Sequence, residues 1–388
     1  MLCIILMKPF RVRHFLKAIQ FLFTDKKNLS TIHYAEKQNT LLIVKLDAIG
    51  DYLLFRNFLA DIRSSEKYKH YRITLCGNKL WKELAEKLDS SYVDEFIWVD
   101  KKSLINNSDY RKNLLFSIKQ NGFEIAFQPT FSREILTGDS IVRASCATHR
   151  LGSLGDDANE ISILKYYADS FYTSFLKNNE TPLFEFLKNK SIIEELIGEN
   201  ISRKNPELIS SSNSKKNSYA VLFPGAGEIQ KQWPIEKFSE IADELQNKYN
   251  YKILICGSPD DSTLAEKIIA QCKTSSPENL CGKTSLLELI EKIASASILL
   301  TNDSVALHIS ACTKTKTVCV LNGRHYGRFA PYPKNIANHI SYVFPEAMCN
   351  LILKSEVEAV RKTKYNAIDS INSIQTEQVK EAIIKLLE

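Results

Sequence analysis

The sequence predicts an α/β protein made of two doubly wound halves, and three observations predict it. Between residues 40 and 128 short apolar runs alternate with amphipathic stretches at the spacing of βαβ units. The same alternation restarts at residue 219, after a stretch rich in Ser, Asn and Lys over residues 201–218. Finally, the apolar run Ser297–Leu300 ends in Thr301-Asn302-Asp303-Ser304, residues that favour turns and helix N-caps. A helix and another strand, Thr317–Leu321, follow it. In an open α/β sheet such an edge offers unpaired N–H groups and a partial positive charge to phosphate-bearing ligands.

The totals agree with two domains. A chain of 388 residues exceeds one comfortable core, and 44% apolar with 25% charged residues is ordinary globular composition. Nine scattered cysteines, odd in number and without a C-x-x-C pair, read as reduced thiols and suggest neither a disulfide framework nor a zinc site. The net charge of +6 is uneven: residues 1–40 hold seven Lys/Arg against Asp25 and Glu36, which is +5 and leaves +1 for the rest. A nucleic-acid-binding domain would carry its basic stripe on the folded body, so that class is disfavoured.

Residues 1–40 form a basic amphipathic extension. Met1–Met7 is apolar but too short to span a bilayer, and Lys8 and Arg11 follow it where a leader would have a small-residue cleavage site. Val12, Phe15, Leu16, Ile19, Leu22 and Phe23 share one helical face, which Phe10 and Phe21 spoil. Two readings stand: adsorption to an anionic membrane surface, or docking on the protein's own body. No segment reads as a transmembrane span.

Residues 41–200 form the N-terminal half. Strands are expected at Thr40–Lys45, Arg72–Cys76, Glu95–Val99 and Glu124–Gln128, a turn at Asp47–Asp51, and helices at Tyr52–Arg63, Asn78–Leu88 and Asn113–Gln120. Residues 158–198 read as mainly helical. Residues 201–218 are the linker. The C-terminal half, 219–388, has strands at Tyr219–Phe223 and Tyr251–Cys256, and helices at Pro234–Lys248, Asp261–Gln271 and Ser285–Ala294. The last helix, Thr376–Leu387, is free to pack on either half.

Three strand-to-helix junctions carry candidate chemistry. In Lys45-Leu46-Asp47-Ala48-Ile49-Gly50-Asp51, Gly50 permits a tight turn and Asp51 stands at the mouth of the sheet. A carboxylate there can act as general base toward a hydroxyl, or simply cap the helix. In Phe223-Pro224-Gly225-Ala226-Gly227 two glycines allow close backbone approach, and Lys231 of the following Lys-Gln-Trp-Pro can neutralise a phosphate. Blandly, Lys231 is a solvated lysine and Trp233-Pro234 a helix start. At the third junction Asp303 reads as an N-cap and His308 as an ordinary helix histidine.

Taken in order, these residues resemble glycosyltransferase family 9, the heptosyltransferases of lipopolysaccharide assembly. LLIVKLDAIGDYLLFRNFLADIR resembles the family's opening strand, "GD" turn and helix; FPGAGEIQKQWPIEKFSEIADEL its Gly-rich turn and K-x-W-P helix; TNDSVALHISACTKTKTVCVLNG its D-[ST]-G-x-x-H block. The likeness runs over residues 41–345. It implies a GT-B fold, two Rossmann-like domains facing across a cleft, with acceptor on the N-terminal half and nucleotide sugar on the C-terminal half.

By the same resemblance Asp51 is the general base and Lys231 binds donor phosphate. Asp303, Ser304 and His308 line the nucleotide and diphosphate pocket near Gly225 and Gly227, and Asp260 or Asp261 holds donor hydroxyls. The implied reaction is inverting and metal-independent, with no cofactor and an ADP-linked sugar as donor. The acceptor would be a lipid-linked glycan, such as lipopolysaccharide, at the cytoplasmic face of the bacterial inner membrane. Val305 stands where the family usually has Gly, which bears on the shape of the diphosphate cradle. After Asn322-Gly323-Arg324-His325-Tyr326-Gly327-Arg328 only Cys349 remains of a cysteine cluster found in some relatives, so no metal site is expected there.

Two other classes are alternatives. A nicotinamide-type oxidoreductase predicts G-x-G-x-x-G after the first strand, where this chain has Asp47-Ala48-Ile49-Gly50-Asp51. A non-catalytic nucleotide-sugar-binding protein would tolerate loss of the Asp51 carboxylate, whereas a transferase would not.

Overall fold

The structure, a computed structural model, describes residues 9–31, 33–177, 184–208 and 217–388. Met1–Met7 and most of the polar stretch after Leu208 lie outside the described residues. The chain divides into two units, one from Met1–Thr181 with Leu187–Ser202, the other from Pro182–Phe186 with Arg203–Glu388.

The first unit holds a six-stranded sheet of β1 (Lys37–Lys45), β2 (Arg72–Asn78), β3 (Glu95–Val99), β4 (Phe123–Gln128), β5 (His149–Ser153) and β6 (Ser174–Leu176), in the order 3-2-1-4-5-6. Every pairing is parallel. Leu41–Val44 of β1 are buried on both faces, which is why TLLIVK reads as a continuous apolar run without alternation.

The second unit repeats this plan with β7 (Asn217–Phe223), β8 (Lys252–Ile255), β9 (Glu278–Asn279), β10 (Ala296–Asn302), β11 (Thr317–Val320) and β12 (Ile340–Val343), again parallel, in the order 12-11-10-7-8-9. Counted within each unit the order is the same, the Rossmann order. Its switch points lie between β1 and β4 and between β7 and β10, where such sheets bind ligands beyond the strand ends. Helix Thr376–Leu387 packs on the second unit, with Val379 and Ile383 in that core beside Trp233 and Phe238.

Three local expectations are corrected. Helix 52–63 is two pieces, Ile49–Leu53 and Phe58–Ser64, so the expected turn at 47–51 is already helical from Ile49. Gly50 accordingly lies inside a helical turn and does not take positive φ. Residues 158–198 are mainly helical among the described residues, in Ser162–Asp169 and Glu185–Ile197, but they also include β6, whose three residues are too few to show a strand period. Likewise β5, between β4 and β6, has Leu151 as its one large apolar residue, and β9 and β12 at the edges of the second sheet are too short to show a strand period.

Helix Pro9–Ser30 packs on the first unit, and its inward face overlaps only in part with the one read off the sequence, through Phe15 and Leu22. Ala18, Phe21 and Leu29 join the core, while Leu16 and Phe23 are 59% and 72% exposed. Phe21, which spoiled the apparent amphipathic pattern, is the anchor. Asp25 beside it sets the rotation: Arg111 donates to its carboxylate from Nε at 3.0 Å and Nη2 at 2.7 Å, and its guanidinium lies over the Phe21 ring. Lys119 Nζ donates to the Leu29 carbonyl at 2.7 Å, and His14 bonds Glu160 at 2.8 Å. No described helix is long and apolar enough to cross a membrane.

Candidate active site

In the first unit the site begins at the end of β1. Lys45 is almost wholly buried there, and its ammonium contacts Asp47 Oδ2 at 2.7 Å. Thr130, beyond the end of β4, donates to the same oxygen at 2.6 Å. Burial pushes the Asp47 carboxyl up, but the Lys45 charge and the two hydrogen bonds outweigh it and hold the group below its ordinary value. The Asp47 carbonyl accepts from Asn78 Nδ2 and Trp81 Nε1, and Trp81 stacks on Tyr52 at 3.8 Å. This clamp fixes the path into helix Ile49–Leu53, where half-buried Asp51 occupies the first turn. Ala48, not Asp51, is the N-cap, so the capping explanation for this carboxylate is set aside.

In the second unit the chain leaves β7 through Pro224-Gly225-Ala226-Gly227. A Cβ on Gly225 would come within 2.6 Å of both Asp261 carboxylate oxygens, so only glycine fits against that side chain. Gly227 is different: a Cβ there meets nothing within 4 Å, and its φ is not positive. The protein's own packing does not require a glycine at Gly227, and the space above it is open.

A short 3-10 turn, Ile229–Lys231, then delivers Lys231 to Asp303, with Nζ and Oδ2 2.6 Å apart. Both side chains are mostly buried. Asp303 occupies one of the three ammonium N–H groups, which leaves two for a ligand. Trp233 is buried beneath, donating from Nε1 to the Ile374 carbonyl.

Beyond β10, helix Val305–Thr313 starts at this pair. Its N-cap is Ser304, whose Oγ accepts from Ala306 N at 3.2 Å and bonds Thr301 Oγ1 at 2.9 Å. Asp303 is therefore not the cap, contrary to its reading from sequence: its carboxylate is turned to Lys231 instead. Val305 occupies the first helical position. His308, one turn in, is buried and bonds the Tyr332 hydroxyl through Nδ1 at 2.7 Å. Burial pushes its pKa down to about 4, so the ring is neutral at physiological pH.

The turn after β8 separates the two acidic candidates. Asp261 closes a capping box, accepting from Ser258 N at 2.8 Å and Ser258 Oγ at 2.7 Å, and it packs over Gly225. Asp260 is exposed. The C-terminal structure thus brings Gly225, Asp261, Lys231, Asp303, Ser304 and His308 to one edge of one sheet.

Sequence reasoning missed three contributors. Asn302, fully buried, donates to the Pro224 carbonyl at 2.6 Å and accepts from Trp233 N at 3.2 Å, so it ties the Gly-rich turn to the Lys231 segment. Its position as the last residue of a strand entering the switch point was the available signal. Asp47 stood in the same turn as Asp51 but gave no sign of its lysine partner. Tyr332 is 24 residues from His308 and had no local signal at all.

Residues 185–356 match the model of glycosyltransferase family 9 (heptosyltransferase). Lipopolysaccharide heptosyltransferase 3 of Escherichia coli is 34% identical over 122 residues, 31% of this chain and 36% of that protein. The chain thus spans about a third of the length of this curated relative. Among solved structures, the family 9 glycosyl transferase of Veillonella parvula aligns with TM-score 0.67 at 20% identity, covering 90% of this chain and 97% of that one. The E. coli heptosyltransferase WaaC with ADP aligns with TM-score 0.65 at 13% identity, covering 89% and 99%. At such identities the likeness concerns the fold, and that fold is GT-B.

Proposed function

We propose that the chain is a member of glycosyltransferase family 9, whose model matches residues 185–356, and that it is an enzyme moving a heptose or related sugar from an ADP-linked donor to a lipid-linked glycan. The observation that carries the proposal is the Lys231–Asp303 pair at the start of a Ser304-capped helix, on the switch point of the second sheet. An ammonium with two spare N–H groups beside a helix N-terminus suits a diphosphate. Open space above Gly227 gives the ligand room to approach the backbone.

In the proposed reaction Asp51 takes the proton of the acceptor hydroxyl as its oxygen attacks the anomeric carbon. The bond to the diphosphate breaks on the opposite side, and configuration inverts. Lys231 and the helix N-terminus receive the charge that develops on the leaving group. These fixed positive groups supply charge stabilisation without a metal. Neutral His308, held by Tyr332, lines the pocket as a hydrogen-bonding group and adds no charge. Asp260 is the carboxylate left exposed to meet a donor hydroxyl, since Asp261 is occupied in its turn. The exposed Leu16 and Phe23, with Arg13, Lys26 and Lys27, favour peripheral contact with an anionic inner membrane surface, where such acceptors are presented.

The test is calorimetric titration of the purified protein with ADP, GDP, UDP, CMP and NAD in the presence of chelator. ADP binding, weakened at least about 10-fold by Lys231→Ala, a loss of about 1.4 kcal/mol, is expected. Binding of NAD alone would replace this reading with the oxidoreductase. ADP binding without turnover, indifferent to Asp51→Asn, would indicate a binding protein.

A further inference from the structure

Tyr332 is a buried phenol on the loop between β11 and β12, 3% exposed. The fold holds it firmly. Its backbone N–H donates to the Tyr342 hydroxyl of β12 at 2.9 Å, and its ring packs against Phe184 with centroids 4.7 Å apart. Its own hydroxyl lies 2.7 Å from His308 Nδ1. All of these groups belong to the second unit.

A hydroxyl and a neutral imidazole can bond in two senses. Either the phenol donates to Nδ1 and the ring hydrogen is on Nε2, or Nδ1–H donates to the phenol oxygen and Nε2 is bare. Burial decides between them. It pushes the Tyr332 hydroxyl well above its ordinary value, so the phenol keeps its hydrogen. It also keeps the His308 ring neutral. Among the described residues, His308 Nδ1 is the partner of that hydroxyl and no other is found. As an acceptor, Tyr332 would leave its own hydrogen buried and unpaired; as a donor, it is satisfied. In that arrangement the ring hydrogen is on Nε2. This second nitrogen bonds no protein atom among the described residues and is not sealed from solvent.

The ring stands in the field of the Lys231–Asp303 pair, since both charges act on it, and on the helix that Ser304 caps. Phosphate oxygens accept hydrogen bonds and do not donate them. An N–H complements them there, whereas the opposite tautomer would turn a lone pair toward them. We propose that Tyr332 is a positioning residue that fixes His308 in its Nε2–H form, so that the neutral ring donates a hydrogen bond to the diphosphate of the nucleotide donor. The contact with a diphosphate rests on the transferase reading; the Tyr332–His308 bond does not. Lys231 supplies charge at this site, and His308 supplies an oriented dipole whose bond strengthens as the leaving group becomes more negative. No proton is transferred. Tyr332 acts through His308 and touches no reacting atom.

The experiment is long-range proton–nitrogen correlation NMR of the full chain carrying isotope-labelled histidine near neutral pH, with His308→Gln identifying the His308 signals and ADP as the probe. The wild type is expected to show a pyridine-type Nδ1 displaced by an accepted hydrogen bond, and a pyrrole-type Nε2 that shifts when ADP binds. Tyr332→Phe keeps the ring and removes the hydroxyl. Its Nδ1 signal should move to that of an unbonded pyridine-type nitrogen, and ADP affinity should fall at least about 5-fold, roughly 1 kcal/mol. A pyrrole-type Nδ1 in the wild type overturns the proposal whether or not any variant folds. So does an Nε2 signal unmoved by bound ADP, or a Tyr332→Phe protein that retains the wild-type Nδ1 signal or the wild-type ADP affinity. A hydrogen-bonded, pyridine-type Nδ1 in a wild type that binds no nucleotide would keep Tyr332 as the residue orienting His308 and defeat the transferase reading instead.

Discussion

At the residue scale, the chemistry turns on where each carboxylate stands. Asp47, Asp261 and Asp303 each hold a neighbour in place, through Lys45, Ser258 and Lys231. Asp51 occupies the first turn of its helix without being its cap. Replacing it by Asn keeps the shape and removes the base, so transfer should fall about 10²- to 10⁴-fold while ADP affinity holds; undiminished turnover would remove Asp51 from the mechanism. His308 gives a pH prediction. Its folded pKa, about 4, lies below its ordinary 6.5, so folding resists protonation. The stability tied to the neutral ring is complete above about pH 6.5, erodes as pH falls, and is gone below about 4, a total of about 3 kcal/mol. Urea midpoints of wild type and His308→Gln should therefore converge between pH 7 and 4.5. Parallel pH dependences would show that His308 is not the titrating group.

At the element scale, two buried polar ties decide how segments sit. Asp25 is the inward polar contact of helix Pro9–Ser30, bound by a guanidinium that is itself buried. Asp25→Ala leaves Arg111 buried without its counter-charge and should cost about 3–5 kcal/mol in urea unfolding; a loss under about 1 kcal/mol would mean the helix adds little to this core. Asn302 plays the corresponding part in the second unit, its side-chain amide bridging the backbones of two loops. Legibility followed the same division. Central strands such as β1 and β10 could be read because burial on both faces demands apolar runs, and Lys231, Asp303 and Ser304 because turns and caps have residue preferences. The inward face of helix Pro9–Ser30 could not, because a buried Asp–Arg pair reverses the rule that charge points outward.

At the scale of the whole molecule, charge is segregated. Residues 1–40 carry +5 of the net +6, and Asp25 is turned inward onto Arg111, so the outward face of helix Pro9–Ser30 is cationic around Leu16 and Phe23. Co-sedimentation with vesicles containing anionic lipid should exceed that with zwitterionic vesicles, and should decline as salt shortens the Debye length from about 10 Å at 0.1 M. Phe23→Asp should reduce it without lowering thermal stability, since Phe23 is exposed. Equal binding to both vesicle types, or none, would leave the helix with a purely structural role.

The sequence by itself determined the two-sheet α/β plan, the three junctions and the family resemblance, because strand periodicity, turn residues and cap preferences are local properties. It also placed Lys231 and Asp303 in the same pocket, but only through that resemblance. The tertiary structure decided what depends on partners distant in the chain. It pairs Lys231 with Asp303 across 72 positions, gives the cap to Ser304, holds His308 neutral against Tyr332, and occupies Asp261 while leaving Asp260 exposed. Which polar group is engaged and which is left for a ligand is set by burial and hydrogen-bond satisfaction, and these exist only once the chain has folded.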